Sequence, residues 1–233
     1  MTGFLRTLQL IILVLLTGMA RAQQFLPATT APGGALGSAI QSYHDFMGPQ
    51  SLVYNGREPA DYPQMKGHPY FVMEGVQKGS VVYDGILYQD LPLLYDLVKD
   101  HLIVFNYAGD QISLATEKIK EFSLPGHRFM QIAGLYYDLL CSGKVILLSR
   151  RIKTIEESIV DLQVVYTASE KDKYFIVRDG VSYSVGNLNG LLDLLKDKKK
   201  EIRQDLRKRK IRYRKDHERA LVAATQYYNQ SFH

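Results

Sequence analysis

Two Asp-Gly pairs each split an apolar, β-branched run into halves: Val81-Val82-Tyr83 from Ile86-Leu87-Tyr88 at Asp84-Gly85, and Tyr174 to Arg178 from Val181 to Val185 at Asp179-Gly180. An Asp-Gly pair readily takes the two positive-φ positions of a type I′ turn, the two-residue loop whose twist suits antiparallel strands. Looser turn signals occur at Asn55-Gly56, at Ala108-Gly109-Asp110 between HLIVFNY and QISLA, and at Ser142-Gly143 between YYDLLC and KVILLSR. Turns at this density between short strand-like runs predict an antiparallel meander. Such a meander folds as a barrel, a sandwich or a strongly curved sheet. Pattern alone leaves all three open.

After Val185 the periodicity changes to helical. Asn189 is placed to cap a short helix over Gly190 to Lys196, with Leu191, Leu192, Leu194 and Leu195 supplying an apolar face. Asp197 is placed to cap a second helix, and Asp216 a third running through Ala220, Leu221, Ala224 and Tyr228. The expected fold class is therefore α+β: mainly antiparallel β over residues 51–186, then a basic C-terminal region of two or three helices over 187–233.

The first 22 residues have another purpose. Thr7 to Met19 is almost unbroken apolar sequence behind Arg6, and Ala20-Arg21-Ala22 follows as a small-x-small cleavage pattern. This reads as a secretory signal peptide, because the apolar run falls short of the roughly 20 residues that span a bilayer. The mature chain is expected to start at Gln23, to carry no transmembrane anchor and to reside in the periplasm or outer envelope of a Gram-negative bacterium. Residues 23–50, rich in Pro, Gly, Ala and Thr, read as a flexible leader. Cys141 is the only cysteine, so no intramolecular disulfide is possible and stability must come from an apolar core. In its apolar context beside a Gly turn, Cys141 reads as a buried structural thiol, the alternative being a catalytic or intermolecular-disulfide role.

Charge is unevenly spread. Lys196 to Arg219 holds 13 Lys and Arg against 5 Asp and Glu, whereas residues 23–195 hold 14 against 19. An acidic body thus carries a basic appendage. If Asp197 to Lys210 is one helix, Lys199, Lys200, Arg203, Arg207 and Lys210 share one side, while Asp197, Glu201 and Asp205 share another. Ile202 and Leu206 form a narrow seam between them, too thin for a membrane-surface helix and suited to docking on the protein's own sheet. The five cations are either a solvated face, supported by an Asp205–Arg209 i,i+4 pair, or a contact surface for a polyanion. Nucleic acid is the least favoured polyanion, since Tyr213 is nearly the only aromatic interleaved with the basic residues.

Catalytic signatures are missing from the sequence. There is no Gly-x-Ser-x-Gly, no phosphate loop and no dinucleotide fingerprint, and none of the six histidines has metal-ligand spacing. No cofactor is implied. Asp84, Asp90, Asp96 and Asp138 are the carboxylates from which a hydrolase site would have to be built. Sixteen Tyr with no Trp suit strands that have one wet and one packed face.

Several stretches resemble a family of exported, signal-peptide-bearing proteins from Bacteroidota whose function is not established. They are Gly79-Ser80-Val81-Val82-Tyr83-Asp84-Gly85 with Tyr88, Asp90, Leu93 and Tyr95-Asp96; Gly143-Lys144-Val145 with Leu147-Leu148; and Tyr174-Phe175 ahead of Asp179-Gly180. Asp197 to Ile202 and the closing Tyr227-Tyr228-Asn229 complete the set. The resemblance implies an envelope setting, a β-rich fold and a basic C-terminal helix, and it lends no enzyme class. The resulting expectation is a non-enzymatic envelope protein, a β-rich binding or scaffold module whose partner is an anionic envelope polymer or another envelope protein. The alternative is a hydrolase of envelope polymers with an unrecognised carboxylate site.

Overall fold

The computed structural model describes residues 52–232. The expected signal segment and leader lie outside them. A helical turn at Leu52–Tyr54 precedes β1 (Met65–Lys66), β2 (Gln77–Tyr83), β3 (Ile86–Asp96), β4 (His101–Phe105), β5 (Gln111–Ser113) and β6 (Ile119–Leu124). There follow β7 (His127–Ile132), β8 (Leu135–Cys141), β9 (Val145–Arg150), β10 (Lys153–Val160), β11 (Gln163–Glu170), β12 (Lys173–Arg178) and β13 (Val181–Val185). Three helices close the chain: α1 (Leu188–Leu194), α2 (Lys199–Lys208) and α3 (His217–Gln230).

Ten strands form one antiparallel sheet in the order β13-β12-β9-β8-β7-β6-β2-β3-β4-β5, and β1, β11 and β10 form a small second sheet. Both Asp-Gly pairs make the expected turns, with φ of 54° and 81° at Asp84 and Gly85 and 52° and 77° at Asp179 and Gly180. Asn55-Gly56 does not make a hairpin. The residues before it form the Leu52–Tyr54 turn, and Arg57 instead bridges to Ser113 of β5 through paired backbone hydrogen bonds. Further turns at Ala133-Gly134 and Asp161-Leu162 complete the meander.

The Asp161-Leu162 turn is an exception to turn chemistry. Leu162 sits at φ 63° with 98% of its surface exposed, so a branched side chain occupies a strained backbone position without packing in return. Leu162→Gly is expected to stabilise the fold by about 0.5–1 kcal/mol, the left-handed strain relieved less the added chain entropy. Thermal unfolding checks this, and a lowered midpoint would show that the leucine contributes to the fold.

The sheet is curled into an incomplete barrel. From β3 to β8 is four strand steps, about 19 Å if flat, yet the rings of Tyr95 on β3 and Tyr136 on β8 lie 5.9 Å apart. Tyr95 also meets Phe122 of β6 and Phe129 of β7 at 5.0 Å each. Inward residues two apart along β2, β3, β4, β6 and β7 build this first core, among them Val81, Tyr83, Leu91, Leu93, Leu102 and Val104. Farther along the same face, Val145 and Leu147 of β9 and Tyr174 and Ile176 of β12 begin a second core, which the helices cover with Leu191, Ile202, Leu206, Leu221, Ala224 and Tyr228. Together these make an α+β fold.

The helix starts differ in detail from the expectation. The cap of α1 is Asn187, whose Oδ1 accepts from the Gly190 N–H at 2.9 Å; Asn189 lies inside the helix and accepts from Arg203 instead. Asp197 does not cap α2, which starts at Lys199 without a side-chain cap, because Asp197 accepts from the Tyr228 hydroxyl at 3.1 Å. Asp216 does cap α3, accepting from the Arg219 N–H at 3.0 Å.

Candidate functional site

The apolar seam of α2 docks fully: Ile202 and Leu206 are buried, packed mainly against α3 rather than directly on the sheet. This aims the remaining faces of α2 at solvent. The acidic side is consumed locally, since Glu201 pairs with Lys198 at 2.9 Å and Asp205 with Arg209 at 2.8 Å. Of the five cations singled out from the sequence, Lys199 is bound to Asp193 and Arg203 donates to Asn189 Oδ1 at 3.1 Å. Lys200, Arg207 and Lys210 are exposed and make no ion pair among the described residues. The connection to α3 extends the surface with Arg212, Arg214 and Lys215, likewise exposed and unpaired among those residues.

The four candidate carboxylates are dispersed. Asp84 is in its turn beside Lys118, and Asp90 is exposed on β3 at φ 53°. Asp96 is buried and satisfied by the Tyr62 hydroxyl at 2.7 Å and by the backbone N–H groups of Val98 and Lys99. Asp138 is buried against Arg151. They therefore form no carboxylate pair. Among the described residues no group of three or more His, Cys, Asp or Glu side chains is placed to hold a metal ion, and no helix is long and apolar enough to cross a membrane.

Arg151 is the polar centre of the molecule. It follows β9, lies between the two apolar cores and is only 6% exposed. Its Nε and Nη2 donate to Asp138 Oδ2 at 3.0 and 2.7 Å, its Nη1 to Asp172 Oδ2 at 2.5 Å, and Nη1 and Nη2 to Glu218 Oε2 and Oε1 at 2.5 and 3.1 Å. His127 Nδ1 lies 2.8 Å from Asp138 Oδ2, and the Tyr174 hydroxyl donates to Glu218 Oε2 at 2.9 Å. Burial works against the guanidinium charge, but Glu218, Asp172 and Asp138 outweigh it and hold its pKa above the ordinary arginine value. Burial, followed by the charge of Glu218, raises the Tyr174 hydroxyl. The network joins β8, the end of β9 and the starts of β12 and α3, so it positions these elements against one another.

Cys141 is half-buried, and burial raises its thiol above the ordinary value, as befits a structural cysteine rather than a nucleophile. Nearby, Asn229 of α3 reads the backbone of β9 as a strand would: its Oδ1 accepts from the Val145 N–H and its Nδ2 donates to the Val145 carbonyl, both at 2.9 Å. Neither anchor is announced by a sequence motif. The only local signals were an arginine pair ending an apolar run at Arg150-Arg151 and a polar residue on the apolar face of the last helix.

Neither a protein-family model, nor a curated protein, nor a solved structure matches this chain.

Proposed function

We propose that this is an exported, non-enzymatic envelope protein, a β-rich binding module that contacts an anionic envelope component through the basic face of α2 and the segment leading into α3. One observation carries the reading: Ile202 and Leu206 are buried while Lys200, Arg207 and Lys210 project unpaired, so the cationic side is held facing outward by a docked helix. Cations serving solubility alone need no such fixed presentation. Asp84, Asp96 and Asp138, tied to a turn, a tyrosine and Arg151, and the isolated, exposed Asp90 make no converging acid pair, which favours binding over hydrolysis.

The test is co-sedimentation of the protein with a Gram-negative envelope fraction at low and high salt. The comparison is a variant with Gln at Lys199, Lys200, Arg203, Arg207 and Lys210. Binding is expected to fall steeply with salt, as counterion release requires, and to drop at least about tenfold in the variant at low salt. Equal, salt-independent behaviour of the two proteins would return the face to solubility.

A further inference from the structure

Beside the basic surface lies an open cleft of about 680 Å³, within the range of small-ligand sites. It is lined by Lys173 and Tyr174 of β12, by Tyr213 and Arg214 of the α2–α3 connection and by His217 at the start of α3, with Asp172 at one side. The three rings form a continuous row. His217 meets Tyr174 at 5.2 Å and an interplanar angle of 90°, and Tyr213 at 5.7 Å and 65°.

The charges of this cleft do not cancel. Asp172 is already bound to Arg151, and so is Glu218 directly behind Tyr174. Lys173 and Arg214 are exposed and make no ion pair among the described residues. The acids near the cleft are therefore occupied while its cations are available. The floor is also fixed, because the Tyr174 hydroxyl is anchored to Glu218 and Glu218 to Arg151.

We propose that this cleft binds an anionic saccharide unit, a sugar bearing a carboxylate or phosphate. The apolar face of the ring would lie against His217, with Tyr213 at its edge because the two planes stand 65° apart, and the anion would lie toward Lys173 and Arg214. An aromatic row gives contact area for a pyranose face, and a guanidinium beside an ammonium recognises either anion. Neutral sugar would lose the second contribution and free anion the first. The proposal rests on the reading of the protein as a binder of anionic envelope material, and it names the part of that material that enters the cleft.

The test is calorimetric titration of the full chain with a short oligogalacturonate, its methyl ester, glucose 6-phosphate and inorganic phosphate. The oligouronate or the sugar phosphate is expected to bind, and whichever does so identifies the anion. A binding oligouronate should exceed its ester, and a binding sugar phosphate should exceed inorganic phosphate, by about tenfold, the combined effect of two exposed charge contacts or of the ring contacts.

Lys173→Gln together with Arg214→Gln should erase the preference for the charged oligouronate and weaken the sugar phosphate by about tenfold, and His217→Ala should weaken every saccharide form by about fivefold. Lys120→Gln, which removes an exposed cation of β6 outside the cleft, should bind these small ligands as the wild type does. Absence of saccharide binding, a bound oligouronate matched by its ester, a bound sugar phosphate matched by inorganic phosphate, or no loss when Lys173 and Arg214 are replaced would each overturn the cleft assignment. If salt-sensitive co-sedimentation persists in such a case, the envelope-binding reading survives and only the cleft is lost.

Discussion

Arg151→Met is expected to lower the free energy of unfolding by about 3–5 kcal/mol, the cost of breaking a buried ion pair by removing one partner. The size follows from what stays behind. Asp138 is 1% exposed and would keep only His127 as partner, while Asp172 and Glu218 would face each other without the cation that joins them. Urea unfolding of wild type and variant measures the difference. A loss below about 1 kcal/mol, the worth of an exposed pair, would mean that water already screens the network and that Arg151 joins nothing. The conservative Arg151→Lys should recover little, because one ammonium cannot reproduce a fork that contacts three carboxylates.

Asn229→Leu is expected to cost about 2–4 kcal/mol, since it strands the N–H and C=O of Val145, a residue with no exposed surface. Shape makes the site equally strict. A Cβ on Gly143 would fall 2.6 Å from the Asn229 amide, so Gly143→Ala should displace the same contact from the other side. Hydrogen exchange offers a local readout, with faster exchange expected at Val145 in either variant. Unchanged exchange there would argue that the strand holds without the helix.

What the sequence revealed depended on how far each signal reached along the chain. Asp84-Gly85 and Asp179-Gly180 were legible because a type I′ turn is specified by two adjacent residues. Asp161-Leu162 was not, since leucine is a poor residue for positive φ and gives no warning of a turn. The buried seam of Ile202 and Leu206 followed from helical period, whereas its packing partner α3 did not. Asn187 and Asn189 are both competent caps, and only the register of Leu191 and Leu192 against the second core decides between them. The Arg151 network was invisible for a stronger reason. Its carboxylates lie 13, 21 and 67 residues away, and no periodicity links positions that meet only after the sheet curls. The rings of the cleft come from β12 and from the far side of α2, so their convergence is likewise a product of the fold.

The division into two cores bears on how the chain acquires structure as it emerges from its N-terminal end. The first core needs nothing beyond Tyr136, and nearly all its strands pair with sequence neighbours, the longest reach being from β2 to β6. The second stays open until Leu221, Ala224 and Tyr228 arrive, and Asn229 fastens α3 to β9. A nascent chain would thus carry a finished half and an unfinished one, with the apolar face of β9 and β12 bare until α3 has been made. A chain that stopped before α3 would leave that face without Leu221, Ala224 and Tyr228, so the closing helix guards the apolar surface that is the last to be covered.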